Sequence, residues 1–286
     1  VSASAAQALR RLVRADGIVV APGVYDGLSA RLARQAGFAA VYATGGGIAR
    51  GMGYPDLGLL AMTEVIERVA GIVEHAGVPV IADADTGYGN ALNTRRAVRA
   101  FARAGVAAIH LEDQTFPKRC GHLDDKSVVP IAEMTQKLRA ARDADADLLL
   151  IARTDALAVE GMEAAVARAH AYTEAGADVI FVEAPTTEAE IETIASRVPS
   201  PKLINMFEGG KTPLVPLARL QGLGYRIVII PSDLQRAAIR AMQDTLVVIK
   251  RDGNSRAVID RMATFTERET IVGTPEYLGL DARYRA

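Results

Sequence analysis

Apolar residues along the chain fall into short, β-branched runs separated by longer stretches of helical spacing. The runs occupy residues 18–24, 39–44, 78–83, 107–112, 148–154, 178–183, 202–207 and 226–231. Most are continuous hydrophobic strings, the pattern of parallel strands buried on both faces. Between them, residues 62–75, 92–104, 131–144 and 163–175 carry Ala, Glu and Arg with helical periodicity. Gly37, Gly77, Gly105 and Gly176 each precede a strand, where a helix C-terminus favours a residue free of Cβ. Eight strands alternating with helices predict a closed (β/α)8 TIM barrel. A doubly wound open sheet would carry a glycine-rich phosphate turn after its first strand, and residues 24–28 have none.

The pattern also predicts the domain organisation. Residues 1–253 form the barrel with a lead-in helix that places Leu9, Leu12 and Val13 on one side. The Ala/Ser-rich, basic residues 1–14 bear only a faint likeness to an organellar transit peptide. Residues 254–286 carry less apolar pattern and pack outside the barrel or on a partner subunit. Two connections, 45–61 and 113–130, are long for a compact α/β unit and read as lid or binding elements.

Composition narrows the function classes. Half of the 286 residues are hydrophobic and 23% are charged, which excludes intrinsic disorder. Basic and acidic side chains number 33 and 34, which argues against a broad basic nucleic-acid surface. No uncharged run approaches a bilayer span, so no membrane role is expected. The single cysteine, Cys120, cannot close an internal disulfide, and a reducing, cytoplasmic setting is the expectation.

The candidate chemistry gathers where strands end, the place at which barrel active sites are built. Asp83 and Asp85 repel unless a cation lies between them or one is protonated; they serve either a hard ion such as Mg²⁺ or the cap of the next helix. Glu112 ends the next strand and Asp56 lies in the first long connection, so four carboxylates could converge on one ion. Asp113 is expected to bond loop backbone. In residues 118–122 (KRCGH), Lys118, Arg119 and His122 should favour the thiolate of Cys120, which is otherwise a buried structural cysteine. Arg153, suited to a bidentate grip on a carboxylate, and Glu183 end later strands as substrate contacts or salt-bridge partners, and Asn205 ends the seventh before a glycine turn. Tyr42, Thr44 and the glycines 45–47 close the second strand, as an anion-approaching turn or a hinge.

Residues 42–47 (YATGGG), 55–58 (PDLG), 83–89 (DADTGYG), 110–114 (HLEDQ), 118–122 and 152–156 (ARTDA) together resemble the isocitrate lyase/phosphoenolpyruvate mutase superfamily. The KRCGH loop resembles its carbon–carbon lyase branch, which includes 2-methylisocitrate and 2,3-dimethylmalate lyases. The resemblance implies a barrel whose eighth helix is swapped between subunits of a homodimer or homotetramer. It implies Mg²⁺, with Mn²⁺ as a substitute, held by Asp56, Asp83, Asp85 and Glu112. Cys120 would protonate a carbanion and Tyr42 would assist at the substrate hydroxyl. Arg153, Glu183, Asn205, Gly121 and His122, with backbone around Thr44, Gly45 and Gly46, would bind a small carboxylate substrate. The implied reaction cleaves the C2–C3 bond of a 2-hydroxy di- or tricarboxylate to pyruvate and a carboxylate.

Two segments bear on the substrate. Residues 208–213 (EGGKTP) resemble turns of dimethylmalate lyase-like proteins and of carboxyphosphonoenolpyruvate phosphonomutase, whereas methylisocitrate lyases carry a different segment there. Pro231 resembles the lyases, whereas oxaloacetate acetylhydrolases have Ser at the place equivalent to Pro231; Ser232, one position on, keeps oxaloacetate hydrolysis open. C–P bond chemistry and oxaloacetate hydrolysis are therefore the alternatives, ahead of a non-catalytic barrel.

Overall fold

The computed structural model describes residues 4–119, 121 and 125–285. Eight parallel strands close into a barrel in chain order: β1 (Val19–Val24), β2 (Val41–Ala43), β3 (Val80–Asp83), β4 (Ala108–Glu112), β5 (Leu149–Thr154), β6 (Val179–Val182), β7 (Lys202–Asn205) and β8 (Tyr225–Ile230). The last strand returns to the first, pairing Val20 with Val228 and Pro22 with Ile230. Each strand is thus paired on both edges and covered on both faces, as the continuous apolar runs require.

Helix α1 (Ala5–Arg14) precedes the barrel. The connections then carry α2 (Gly27–Gln35), α3 (Gly45–Gly51), α4 (Met62–Ala76), α5 (Ala91–Arg103), α6 (Ile131–Ala144), α7 (Ala156–Glu160), α8 (Met162–Glu174), α9 (Glu188–Arg197), α10 (Leu217–Gly222) and α11 (Asp233–Asp252). The expected helices fall within a residue or two of those observed. Gly77 closes α4 with φ 60°, a left-handed value that an L side chain adopts only with strain. The first long connection is not wholly loop, because its glycine-rich start forms α3.

The core has two layers. Val69, Val98, Phe101, Leu138 and Tyr172 pack helices against the outside of the barrel. Tyr42, Ile81, Ile151, Phe181 and Ile229 fill its interior. Leu9 and Val13 of α1 join that inner cluster, with Leu12 half-buried beside it, as the lead-in helix predicts. Arg10 holds α1 to the N-terminal end of the strands through Asp178 (2.6 Å) and the Asp147 carbonyl (3.2 Å). The opposite, C-terminal end is left for chemistry.

The chain divides into two compact units, 1–233 and 234–286, whereas the sequence reading divides it at 253/254. The first unit contains the entire barrel. The second contains most of α11, a 3₁₀ turn (Arg256–Arg261), α12 (Phe265–Val272) and α13 (Thr274–Arg285). Among the described residues no helix is long and apolar enough to cross a membrane.

Candidate active site

Most of the residues singled out in the sequence line one cavity of ≈ 560 Å³, open mouth included, at the C-terminal ends of the strands, while Gly45, Asp85 and Glu112 stand behind its lining. Tyr42, Thr44, Gly46, Asp56, Asp83, Gly121, Arg153, Glu183 and Asn205 all line it. Cys120 and His122 lie outside the described residues.

Tyr42 at the centre of β2 turns inward. Its hydroxyl donates to Asp83 Oδ2 (3.2 Å) and lies 2.6 Å from His110 Nε2. Burial, then the Asp83 charge, hold the phenol well above its usual pKa. Just beyond the strand, Thr44 Oγ1 accepts the Gly47 amide and caps α3. The Gly45 amide donates to Asp83 Oδ2 (3.2 Å), and a Cβ on Gly45 would stand 2.6 Å from that same oxygen. Gly46 is pressed in the same way, with its missing Cβ 2.8 Å from Asp56 Oδ2. The glycines are therefore close-approach positions against carboxylates.

Asp83 ends β3 and is fully engaged. Its Oδ1 accepts the Asp85 amide (3.0 Å) and lies 3.1 Å from His110 Nε2. Burial opposes its charge, but His110 and Lys118 hold its carboxyl far below the usual range. Asp85 adopts φ 47°, the kind of backbone strain that functional sites concentrate. In β4, alternation sends His110 and Glu112 inward. Glu112 Oε2 meets Arg153 (3.3 Å), while Oε1 is buried with no hydrogen-bond partner among the described residues. Burial pushes the Glu112 carboxyl well up despite Arg153 and Lys118.

Asp113 points the other way. It accepts from Tyr172 (2.7 Å), Thr154 (2.7 Å), Arg168 (3.1 Å) and the Asp155 amide (3.0 Å), tying α8 to the strand ends. Its role is structural, and wider than the loop bonding expected of it.

Lys118 is the side chain whose place the sequence does not reveal. It reaches from the second long connection to ion-pair with Asp56 and with Asp85 (2.9 Å). Burial disfavours its charge, yet Asp85, Glu112, Asp56 and Asp83 together raise its pKa well above the ordinary lysine value. His110, which links Tyr42 to Asp83, is likewise quoted in a motif but assigned no role by the sequence.

Across the cavity, Arg153 binds Asp155 (2.9 Å), meets Glu112 and stacks over the Phe181 ring at 5.4 Å. Against burial, Arg153 and Lys126 hold the Asp155 carboxyl down at about 2. Asn205 donates to Glu183 Oε1 (3.4 Å). Gly121 lies so close to Glu183 and Arg153 that any Cβ there would overlap both.

The four carboxylates thus surround the Lys118 ammonium. With the side chains so disposed, no group of three or more His, Cys, Asp or Glu among the described residues is arranged to hold a metal directly. The donor chemistry fits a hard divalent ion all the same. It is all oxygen, one of its buried atoms, Glu112 Oε1, lacks a partner, and the space between Asp56 and Asp85 already holds a cation.

A family model described as phosphoenolpyruvate phosphomutase matches residues 9–250. A 2,3-dimethylmalate lyase of Eubacterium barkeri is 45% identical over 279 residues, covering 96% of this chain and 96% of the relative. A 2-methylisocitrate lyase of Aeropyrum pernix is 44% identical, covering 96% and 89%. The crystal structure of a 2,3-dimethylmalate lyase, a member of the PEP mutase/isocitrate lyase superfamily, superimposes with a TM-score of 0.92 at 40% identity, covering 99% of this chain and 96% of the other.

Proposed function

Because the chain belongs to the phosphoenolpyruvate phosphomutase family, we propose that it is a Mg²⁺-dependent carbon–carbon lyase. It cleaves the C2–C3 bond of a 2-hydroxy di- or tricarboxylate of the 2-methylisocitrate or 2,3-dimethylmalate type, releasing pyruvate and a carboxylate. Relatives of both names match nearly the whole chain. One observation carries the reading. A single cavity presents an acid cluster, a buried tyrosine hydroxyl, an arginine and an asparagine to the same small volume.

Asp56, Asp83, Asp85 and Glu112 would hold Mg²⁺, or Mn²⁺ in its place; bound there, the ion supplies Lewis-acid stabilisation of the substrate's 2-oxygen. Tyr42, kept protonated by burial and Asp83, offers its hydroxyl to the substrate hydroxyl. Arg153 and Asn205, oriented by Glu183, grip the substrate carboxylates with Gly121, His122 and the backbone of Thr44, Gly45 and Gly46. The substrate hydroxyl gives its proton to Tyr42 Oη as Tyr42 passes its own to the Asp83–His110 pair it is hydrogen-bonded to, C2–O becomes a carbonyl, and the C2–C3 pair moves onto C3. The Cys120 thiol then gives C3 a proton. Phe181 and Phe207 line the cavity and keep water from that carbanion.

The test is pyruvate release from 2-methylisocitrate and 2,3-dimethylmalate. EDTA abolishes it, and Cys120→Ala lowers kcat on the order of 10²–10⁴-fold, the usual worth of a positioned acid. Unchanged turnover in Cys120→Ala removes the proposed proton donor. A second reading, oxaloacetate hydrolysis, draws on Ser232, which lines the cavity beside Pro231. Oxalate formation from oxaloacetate with no pyruvate from either hydroxy acid would select it.

The same reading makes the chain a cytoplasmic homodimer or homotetramer that exchanges α11. Met242, Leu246 and Val247 on α11 are 57%, 62% and 65% exposed, an apolar face that exchange would cover. Light scattering on the purified protein tests it, and a monomer at micromolar concentration refutes it.

A further inference from the structure

Among the described residues three basic side chains line the cavity: Lys118, Arg153 and Arg50. Two are committed to protein carboxylates. Lys118 pairs with Asp56 and Asp85, and Arg153 with Asp155, Glu112 and Glu183. Arg50 has no ion-pair or hydrogen-bond partner among the described residues. It stands in the last turn of α3 and is exposed at the cavity mouth. Its guanidinium folds back over Gly46, where a Cβ would lie 3.0 Å from Nη1. A cation facing a cavity with none of its five donors engaged is placed to receive an anion from solution, and its planar fork suits a carboxylate.

We propose that Arg50 is a specificity-determining residue that binds a third substrate carboxylate, so that the enzyme selects a 2-hydroxy tricarboxylate over a dicarboxylate. The inference rests on the lyase reading and deepens it. A dicarboxylate carries its two acid groups on the two carbons whose bond breaks, and both fall among the inner groups, Arg153 and Asn205. A third carboxylate, on a longer arm, reaches out of that inner region towards the mouth. Among the described residues Arg50 is the cation there that no carboxylate ion-pairs.

The competing role is electrostatic support of Asp56, whose Oδ2 lies 2.8 Å from the same Gly46 position. That role would affect every substrate alike, and the two are separable. In Arg50→Gln, KM for 2-methylisocitrate, with three carboxylates, rises roughly tenfold to a hundredfold, the worth of one charged hydrogen-bonded contact. Its kcat and the KM for 2,3-dimethylmalate, with two carboxylates, stay near wild type, and Arg50→Lys restores part of the loss. Equal KM changes for both acids, or none for either, overturn the proposal.

Calorimetry with tricarballylate and succinate gives a readout independent of turnover. The wild type binds the tricarboxylate more tightly, and Arg50→Gln removes that preference. If neither hydroxy acid yields pyruvate while this preference holds, the lyase reading fails and the anchor stands. If pyruvate forms but the preference is absent or survives Arg50→Gln, the anchor fails and the lyase stands.

Discussion

Replacing Lys118 with methionine keeps an unbranched apolar stem and deletes the ammonium that four carboxylates surround. The Lys118 side chain is 5% exposed, and those of Asp56 and Asp85 are 13% and 17%. A surface pair would be worth under about 1 kcal/mol, but removing one partner of a buried pair costs about 3–5 kcal/mol. Two features place this site at the low end. Both aspartates retain some water, and the Asp85 carboxyl, already raised by burial, can take up a proton. At about 3 kcal/mol and roughly 2 °C per kcal/mol for a chain of this size, Tm falls by about 6 °C at pH 7 without divalent metal. The pH dependence has a definite sign. Asp85 titrates above its unfolded value of 3.8 in the folded protein, and losing Lys118 lifts it further. A carboxyl raised by folding favours the native state at low pH and loses that advantage as pH rises through its folded pKa. The deficit therefore opens above about pH 3.8 and is smaller at pH 5 than at pH 7. An ion that binds only the folded state, at a hundredfold over its Kd, returns about 2.7 kcal/mol, so Mg²⁺ recovers most of the loss. Thermal melts of both proteins at pH 5 and 7, in EDTA and in Mg²⁺, test all of this. Coincident melting of variant and wild type in EDTA at pH 7 would refute the electrostatic account of the rim.

Gly45→Ala forces a Cβ to within 2.6 Å of Asp83 Oδ2, an oxygen fixed by Tyr42, and should cost about 1–3 kcal/mol in denaturant unfolding. It should also weaken Mn²⁺ binding followed by electron paramagnetic resonance; unchanged affinity would argue against Asp83 as a ligand. Asp113→Ala leaves the Arg168 guanidinium without its inner carboxylate, and about 3–5 kcal/mol of stability should disappear. If that variant still folds, its KM should match wild type, because Asp113 faces α8 and not the cavity. Tyr42→Phe deletes the hydroxyl 2.6 Å from His110 while keeping the ring, and kcat should fall on the order of 10²-fold with KM little changed. A kcat equal to wild type would remove Tyr42 from the chemistry.

What the sequence reveals of this site depends on which kind of segment carries each group. Strand residues are legible because alternation fixes their direction. Glu112 faces the barrel interior, against Arg153, and its neighbour Asp113 faces out, and the outward partners Arg168 and Tyr172 stand four apart on α8, one above the other. Asp83, Glu183 and Asn205 follow from the same logic, since barrel chemistry sits where strands end. Residues on connections escape it. Nearness along the chain ties Lys118 to Cys120, two positions on, yet the ammonium bonds Asp56, 62 residues away, because a flexible four-carbon stem goes where the charge is. Glycines 45–47 suggest a hinge, and each costs a helix about 1 kcal/mol. They are helical here because Thr44 caps the turn and because a Cβ on Gly45 or Gly46 would crowd the carboxylates beside them. One consequence links the two groups of residues. The strands carry most of the rim's acids, whereas Lys118, the cation that balances them, and Arg50, which no carboxylate among the described residues engages, come from connections. Read from the strands alone, the site looks over-supplied with negative charge for an anionic substrate. The fold resolves that by reaching in with long side chains from outside the barrel, so control over which anion binds belongs to segments that can vary without disturbing the barrel itself.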